Sequence, residues 1–313
     1  MKIFHNRLCI VCGATASGKS SIGVDLAEAF NGEVLSCDSI QFYRGMDIGS
    51  AKLTGEECKG IPHHGIDLVE INDHFNVGRY VAYAKDIVLS AQARGKNIFV
   101  VGGSGFYLKS FYGPIVDGIS ISEETKKFAA QIYANEGMAG IEKRLLNYQK
   151  RLPRELMCNP VRALHALERC VESGKSLEEM AATFQKRMGV FDHLKKYTIY
   201  LHWSKDSLQN RIRMRVQSML HRGLIEEVKK LKAQGLEQHA TLCQSVGYRE
   251  MLDVLNGRLK ESDVEDHIVS HTHRLVRKQN TWFRHQICID LTVNMDSRDS
   301  KHLLFEFLNK IDG

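Results

Sequence analysis

Leu8-Cys9-Ile10-Val11-Cys12-Gly13-Ala14-Thr15-Ala16-Ser17-Gly18-Lys19-Ser20 is the stretch on which the fold turns. Leu8–Cys12 is short, apolar and rich in β-formers. It runs into a glycine turn, after which Ile22, Val24, Leu26, Ala27 and Phe30 recur with helical spacing. The order is strand, glycine loop, helix, and Gly13-x4-Gly18-Lys19-Ser20 fits the phosphate-loop pattern in that context. Glycines let backbone amides converge on phosphate oxygens, and the helix N-terminus adds a fixed positive field. Lys19 supplies a mobile cation, and the Ser20 hydroxyl can help hold Mg²⁺. Gly13, Ala14, Thr15, Ala16, Ser17, Gly18, Lys19 and Ser20 are therefore the candidate phosphate-binding residues, with Ser20 the candidate metal ligand. A phosphate loop alone does not name a reaction, because kinases, nucleotide hydrolases and other diphosphate users share it.

Working outward, Glu33–Cys37 predicts a second strand, Tyr80–Arg94 an amphipathic helix closed by Gly95, and Asn97–Val101 a third strand. Strands alternating with helices predict an α/β fold: a P-loop NTPase-like parallel sheet covered by helices. From about Glu123 to Met188 nearly every periodic stretch is helical, with Asn159-Pro160 opening the helix of Val161–Val171. This predicts a helical insertion over 116–192, between core segments 1–115 and 193–313. Thr198–Trp203 returns as a strand, and Ser204 can cap the helix of Asp206–Leu220. Gly223 allows a break before Ile225–Ala233, a long basic helix covers roughly Ser262–His285, and Gln286–Leu291 is the expected last strand. The tail after Val293 carries no recognisable chemistry.

With 313 residues and 26% charged side chains, the chain has the composition of a globular protein of about two domains. No run approaches the roughly 18 apolar residues of a membrane helix. Met1–Phe4 with Leu8–Cys12 imitates a short signal peptide, but the run stops at the Lys19-bearing loop, so a buried strand is expected instead. Net charge is +6, and its distribution says more than its size. Ser204–Gln234 holds eight Lys/Arg against three Asp/Glu, and His271–Cys288 holds four Lys/Arg and no acid. Such runs suit either solvated helix faces or a polyanion. The eight cysteines lack zinc-ligand spacing, which fits buried, reduced thiols in a cytoplasmic protein. His267-x3-His271 has no acidic partner for a metalloprotease pattern and reads as a surface pair.

Two turns lie at the carboxyl edge of the sheet, where open α/β sheets carry their sites. Asp38-Ser39-Ile40-Gln41 offers a carboxylate, a hydroxyl and an amide in one turn, although Asp and Ser also serve as local turn stabilisers. Gly102-Gly103-Ser104-Gly105 offers exposed amides and a hydroxyl, a second anion-favouring corner or an ordinary strand–helix turn. The third strand ends without the acid a nucleotide hydrolase would use for its metal, which weakens that reading.

Taken together, these residues resemble the tRNA dimethylallyltransferases, also called tRNA isopentenyltransferases. The matches are the loop Gly13–Ser20, the block Asp38–Lys52, Pro62-His63-His64 with Ile66-Asp67, Val101–Tyr107, Ser245–Arg249 and Arg274–Gln279. They hold order and spacing from about residue 8 to 288. The resemblance implies transfer of a dimethylallyl group from dimethylallyl diphosphate to N6 of the adenosine just 3′ of the tRNA anticodon, with Mg²⁺ as cofactor. It implies Asp38 as the base toward the amine, Lys19 and the loop as the diphosphate cradle, and Ser104 in place of a family threonine near the reacting groups. Arg211 and Arg215 match basic positions in the helix after the fourth strand, where at least one is expected to face the diphosphate, the alternative being a solvated arginine ridge. Asp38, Ser39, Ile40, Gln41 and Ser104 would meet the base, while Lys126, Arg162, His165, Gln244, Gly247 and Arg249 match positions that contact the tRNA anticodon stem-loop. His165 stands where arginine is usual, Cys158-Asn159 replaces Asn-Asp, and Lys126 stands near a usual arginine. The absence of a Cys/His zinc finger after residue 290 matches the bacterial type. A monomer without membrane association is expected.

Three other readings share parts of this pattern. An adenylate isopentenyltransferase would prenylate free nucleotides and need less RNA-binding surface. A P-loop nucleotide kinase would transfer phosphate and need no acid beside an amine. A non-catalytic RNA-binding module would have no call for Lys19, Ser20 and Asp38 together.

Overall fold

The computed structural model describes residues 6–115 and 117–311. The signal-like Met1–Phe4 and the expected boundary residue Val116 lie outside the described residues. The chain divides into two compact units, Met1–Gly113 with Val190–Gly313, and Pro114–Gly189.

In the first unit β1 (Arg7–Gly13) leads through the glycine loop into α1 (Lys19–Ala29). There follow β2 (Gly32–Cys37), the short edge strand β3 (His63–His64), α2 (Val77–Ala93), β4 (Asn97–Gly102) and α3 (Gly105–Lys109). The second unit is helical: α4 (Glu123–Leu145), α5 (Arg154–Met157), α6 (Pro160–Ser173) and α7 (Leu177–Gln185). The chain then returns with β5 (Lys195–His202), α8 (Lys205–His221), α9 (Leu224–Ala233), α10 (Tyr248–Leu255), α11 (Val264–Gln286), β6 (Leu291–Asn294) and α12 (Ser300–Lys310).

The six strands form one sheet in the order β3-β2-β4-β1-β5-β6, every pairing parallel. β2 and β4 are buried along their whole length, and β1 is buried after its first residue. That is the signature of a parallel sheet covered on both faces, and it explains why these strands read as continuous apolar runs. One core cluster gathers Val11, Leu26, Phe99, Ile199 and Val293.

Helix boundaries follow local chemistry. Ser204 caps α8 by accepting from the Ser207 N–H, and Asn159 caps α6 by accepting from the Arg162 N–H. Ser176 and Glu179 close a reciprocal capping box on α7. In the helical unit, Ile132, Ile141, Leu145, Leu167 and Met180 share a separate core. α4 is broken at Gly137, whose φ of 62° and ψ of −153° are not helical.

Three expectations are corrected. The last strand is Leu291–Asn294, because α11 continues to Gln286 and pairing with β5 begins in earnest at Leu291 opposite Ile199. The tail after Val293 forms α12, whose Leu304 and Leu308 are fully buried in the sheet core; it is structural. All eight cysteines are free, but Cys158 and Cys288 are exposed rather than buried. No described helix is long and apolar enough to cross a membrane.

Candidate active site

The glycine loop departs from β1 at Gly13 and enters α1 at Gly18, whose φ of 86° lies in the left-handed region that glycine adopts without strain. No side chain caps the start of α1, so its first-turn N–H groups face outward for an anion. The loop is held from far along the chain. Arg211 on α8 donates from Nε to the Ala16 carbonyl at 2.8 Å, and its guanidinium lies 4.3 Å from the Trp203 ring centroid. Trp203 in turn donates from Nε1 to the Ser17 carbonyl at 3.0 Å. The Ser17 hydroxyl is buried with no hydrogen-bond partner, an orphan polar atom inside the cradle.

The loop opens onto a cavity of about 770 Å³, lined among others by Thr15, Lys19, Ser20, Asp38, Ser104 and Arg215. Every lining residue belongs to the first unit. Lys19 lies back along the loop, donating from Nζ to the Ala14 carbonyl at 2.7 Å. Burial lowers its pKa to about 8; the Asp38 carboxylate pulls the other way, and the Arg215 cation adds to the lowering. Burial also lowers the pKa of Arg215, again opposed by Asp38. One carboxylate and two cations thus share a poorly solvated pocket. Below the loop, burial pushes the Cys12 thiol up to about 12 and the Cys37 thiol higher still, so both are neutral packing groups, not nucleophiles.

Asp38 begins the turn after β2. Its Oδ1 accepts the Ile40 N–H at 3.1 Å, so the local turn-stabilising role is real and coexists with a place on the cavity wall. Ser104 joins the two turns: its hydroxyl accepts the Ser39 N–H at 2.9 Å. Gln41 is buried, with Oε1 accepting from the Ser36 hydroxyl at 2.8 Å and Nε2 reaching the Ser50 carbonyl at 3.4 Å. Much of the Asp38–Lys52 block is thus scaffolding. Buried Lys52 donates to the Tyr43 carbonyl at 2.7 Å and pairs with Asp47 at 2.8 Å and Asp67 at 2.6 Å. The Glu227 carboxylate on α9 accepts from the N–H groups of Asp47, Ile48 and Gly49, and from the Tyr248 hydroxyl at 2.8 Å. Such a fully satisfied network fixes the backbone that presents Asp38.

The cavity brings together Thr15, Lys19, Ser20, Asp38, Ser39, Ile40, Gln41, Ser104, Arg215, Gln244 and Arg249 from the sequence-derived set. Arg211 supports the loop from behind. Gly247 does not line the cavity; its N–H donates to Glu250 Oε2 at 2.6 Å. Lys126, Arg162 and His165 belong to the helical unit. Lys126 and His165 pair along their own helices, with Glu123 at 2.5 Å and Glu168 at 2.8 Å, and Arg162 opens α6.

Sequence reasoning missed a wall. α11 contributes His271, Gln279 and Trp282 to the cavity. His271 is therefore not half of a surface pair: its Nδ1 meets buried Glu250 Oε1 at 2.6 Å, the same oxygen that pairs with Arg249 at 2.7 Å. The signal available was the run Arg274–Gln279, which marked the helix but not which of its residues, Arg274, Lys278 and Gln279 among them, line the cavity. Among the described residues no cluster of three His, Cys, Asp or Glu could form an all-protein metal cage. Ser20 at the cavity wall offers a hydroxyl of the kind that could hold Mg²⁺ together with substrate phosphate oxygens.

The sequence model of the family described as IPP transferase matches residues 41–286. A tRNA dimethylallyltransferase of Opitutus terrae is 41% identical over 282 residues, covering 90% of this chain and 91% of that protein. Another from an Exiguobacterium species is 34% identical, covering 88% and 87%. Among solved structures, the full-length tRNA isopentenylpyrophosphate transferase of Bacillus halodurans superposes with a TM-score of 0.69 at 29% identity, covering 98% of this chain and 96% of that one. A eukaryotic dimethylallyltransferase acting on tRNA shares the fold, with a TM-score of 0.79 at 24% identity over 97% of this chain and 80% of its own.

Proposed function

This chain belongs to the IPP transferase family, and from that premise we propose that it transfers a dimethylallyl group from dimethylallyl diphosphate to N6 of adenosine 37, 3′-adjacent to the tRNA anticodon. The products are N6-isopentenyladenosine and diphosphate. The observation that carries the reading is a carboxylate, Asp38, on the wall of the same cavity as a phosphate loop with Lys19 and Arg215.

An exocyclic adenine amine is a poor nucleophile because its lone pair is delocalised into the ring. Asp38 accepts the proton the amine loses as its nitrogen bonds to the allylic carbon. The carbon–oxygen bond to diphosphate breaks, and the electron pair leaves with the diphosphate. Lys19, Arg215 and the amides of the Thr15–Ser20 loop other than Thr15 and Ser17, which already donate to Gln279 and Ala14, stabilise that growing charge, with Arg211 holding the loop in shape. Mg²⁺, held by Ser20 and the diphosphate, would neutralise part of it. The Ser104 hydroxyl sits between the two turns to orient amine and diphosphate. A loop base can be turned out of its stack at modest cost and read on its edges by Asp38–Gln41. Gln244 and Arg249 at the cavity, and Lys126, Arg162 and His165 on the helical unit, bind the anticodon stem-loop. In this reading the enzyme works as a cytoplasmic monomer.

Purified protein with labelled dimethylallyl diphosphate, Mg²⁺ and either unmodified tRNA or AMP tests this. Label entering tRNA is the expected result. Label entering AMP instead would identify an adenylate isopentenyltransferase, and phosphate transfer from ATP without prenylation would identify a kinase.

A further inference from the structure

Gln279 sits on α11, half-buried, and reaches two backbone segments remote in sequence. Its Oε1 accepts the Thr15 N–H of the phosphate loop at 2.9 Å. Its Nε2 donates to the Gly103 carbonyl at 3.0 Å, in the turn that presents Ser104. The site demands an acceptor and a donor on one short planar group, because one partner is an N–H and the other a carbonyl. Only a carboxamide supplies both at this length; a carboxylate of the same size cannot donate to Gly103.

Gly103 is matched to this contact. A Cβ there would stand 2.9 Å from Gln279 Nε2 and 3.6 Å from Lys19 Cε. α11 is itself anchored just beyond Gln279. Asn280 accepts from the Tyr200 hydroxyl on β5 at 2.8 Å, and Trp282 packs so closely on Gly105 that a Cβ there would lie 2.5 Å from the ring. The carboxamide is therefore delivered by a fixed helix.

We infer that Gln279 is a positioning residue for the diphosphate: its carboxamide locks the phosphate loop to the Gly102–Gly105 turn, so that two anion-facing turns present their amides to one donor. This rests on the transferase reading of the cavity. Parallel pairing of β1 and β4 joins the two turns at their strand ends, with Cys12 opposite Gly102, and Gln279 adds a side-chain link beyond that point from the third wall. Without it, the Thr15 N–H and Gly103 carbonyl take water, the sheet is untouched, and the loop is held less well for binding the donor.

Kinetics with labelled dimethylallyl diphosphate and an unmodified tRNA transcript test this on the full chain. Gln279→Met keeps the volume and removes both hydrogen bonds. It should raise the donor KM about tenfold, the equivalent of one well-made hydrogen bond, and leave the tRNA KM within about twofold. Gln279→Glu keeps the acceptor for Thr15 and loses the donor to Gly103, so its donor KM should rise as well. Gly103→Ala, which evicts the carboxamide, should raise the donor KM likewise, and the Gly103→Ala/Gln279→Met double variant should be no worse than the weaker single variant, since both break one contact. Thermal melting confirms that each variant is folded. An unchanged donor KM in Gln279→Met, a matching rise in both KM values, or multiplying effects in the double variant would each overturn the brace. Failure of the wild-type chain to transfer label to tRNA would instead overturn the transferase reading.

Discussion

The cavity unit and the helical unit Pro114–Gly189 hold their functional side chains in opposite ways. Around the cavity, Asp38 and Lys19 have local partners, but the turns that carry them are tied to segments far away in sequence: Arg211 on Ala16, Trp203 on Ser17, Gln279 on Thr15, Ser104 on Ser39. In the helical unit, the candidate RNA contacts have partners within their own helices. Lys126 pairs with Glu123 and His165 with Glu168, both at a spacing of three residues, and both side chains are exposed. The contrast follows from the tasks. Stabilising a leaving group needs donors held to a fraction of an ångström in a dry pocket. Gripping a polyanion needs positive charge on a solvated face, where position matters less and salt matters more.

The comparison breaks most visibly at Asp38. Asp38→Ala should cut turnover by about 10²–10⁴-fold, the usual contribution of a general base. Donor affinity should survive, because Lys19 and Arg215 remain and lose a competing carboxylate. Single-turnover assays at saturating tRNA measure the first and calorimetry the second; wild-type turnover would remove Asp38 from the chemistry.

Lys19 gives the next effect. Lys19→Ala should weaken donor binding by about 1.5–3 kcal/mol, the cost of a charge-assisted hydrogen bond. Its protonation adds a pH test. With a pKa lowered to about 8 in the free protein, Lys19 is cationic below that pH and increasingly neutral above it. Donor affinity should therefore fall as pH rises through about 8. Lys19→Arg, which keeps its charge throughout, should flatten that decline even if its affinity is lower. An equally steep decline in the arginine variant would place the titration elsewhere.

The smallest effect belongs to the helical unit. Arg162→Ala should raise the tRNA KM only a few-fold and lower the slope of log affinity against log salt by about one. Its donor KM should not move. A donor-binding defect from this exposed helix would erase the division between the two units.

Much of the cavity unit was legible locally. Strand, glycine loop and helix announce themselves through periodicity, the Asp38 turn follows the end of an apolar run, and the cap Ser204 sits where its hydroxyl meets a first-turn N–H, as the Asn159 amide oxygen does in the helical unit. The edge strand His63–His64 escaped because two residues carry no period. His271 was misplaced because its partner, Glu250, is twenty-one residues away on another helix. The Asp38–Lys52 block stood out by resemblance, yet its role as scaffold through Lys52 and Glu227 shows only once α9 is docked against it.

Alternation, glycine placement and capping residues act within a few positions, so the order of residues already dictates the phosphate loop, the covered parallel strands and an acid at their carboxyl edge. What folding alone assembles is the cavity's far wall. Gln279 lies 264 residues from Thr15 and 176 from Gly103, and no local pattern encodes which face of a basic helix will turn inward. That choice is made by packing, when burying the apolar stripe of α11 leaves a carboxamide between the Thr15 N–H and the Gly103 carbonyl.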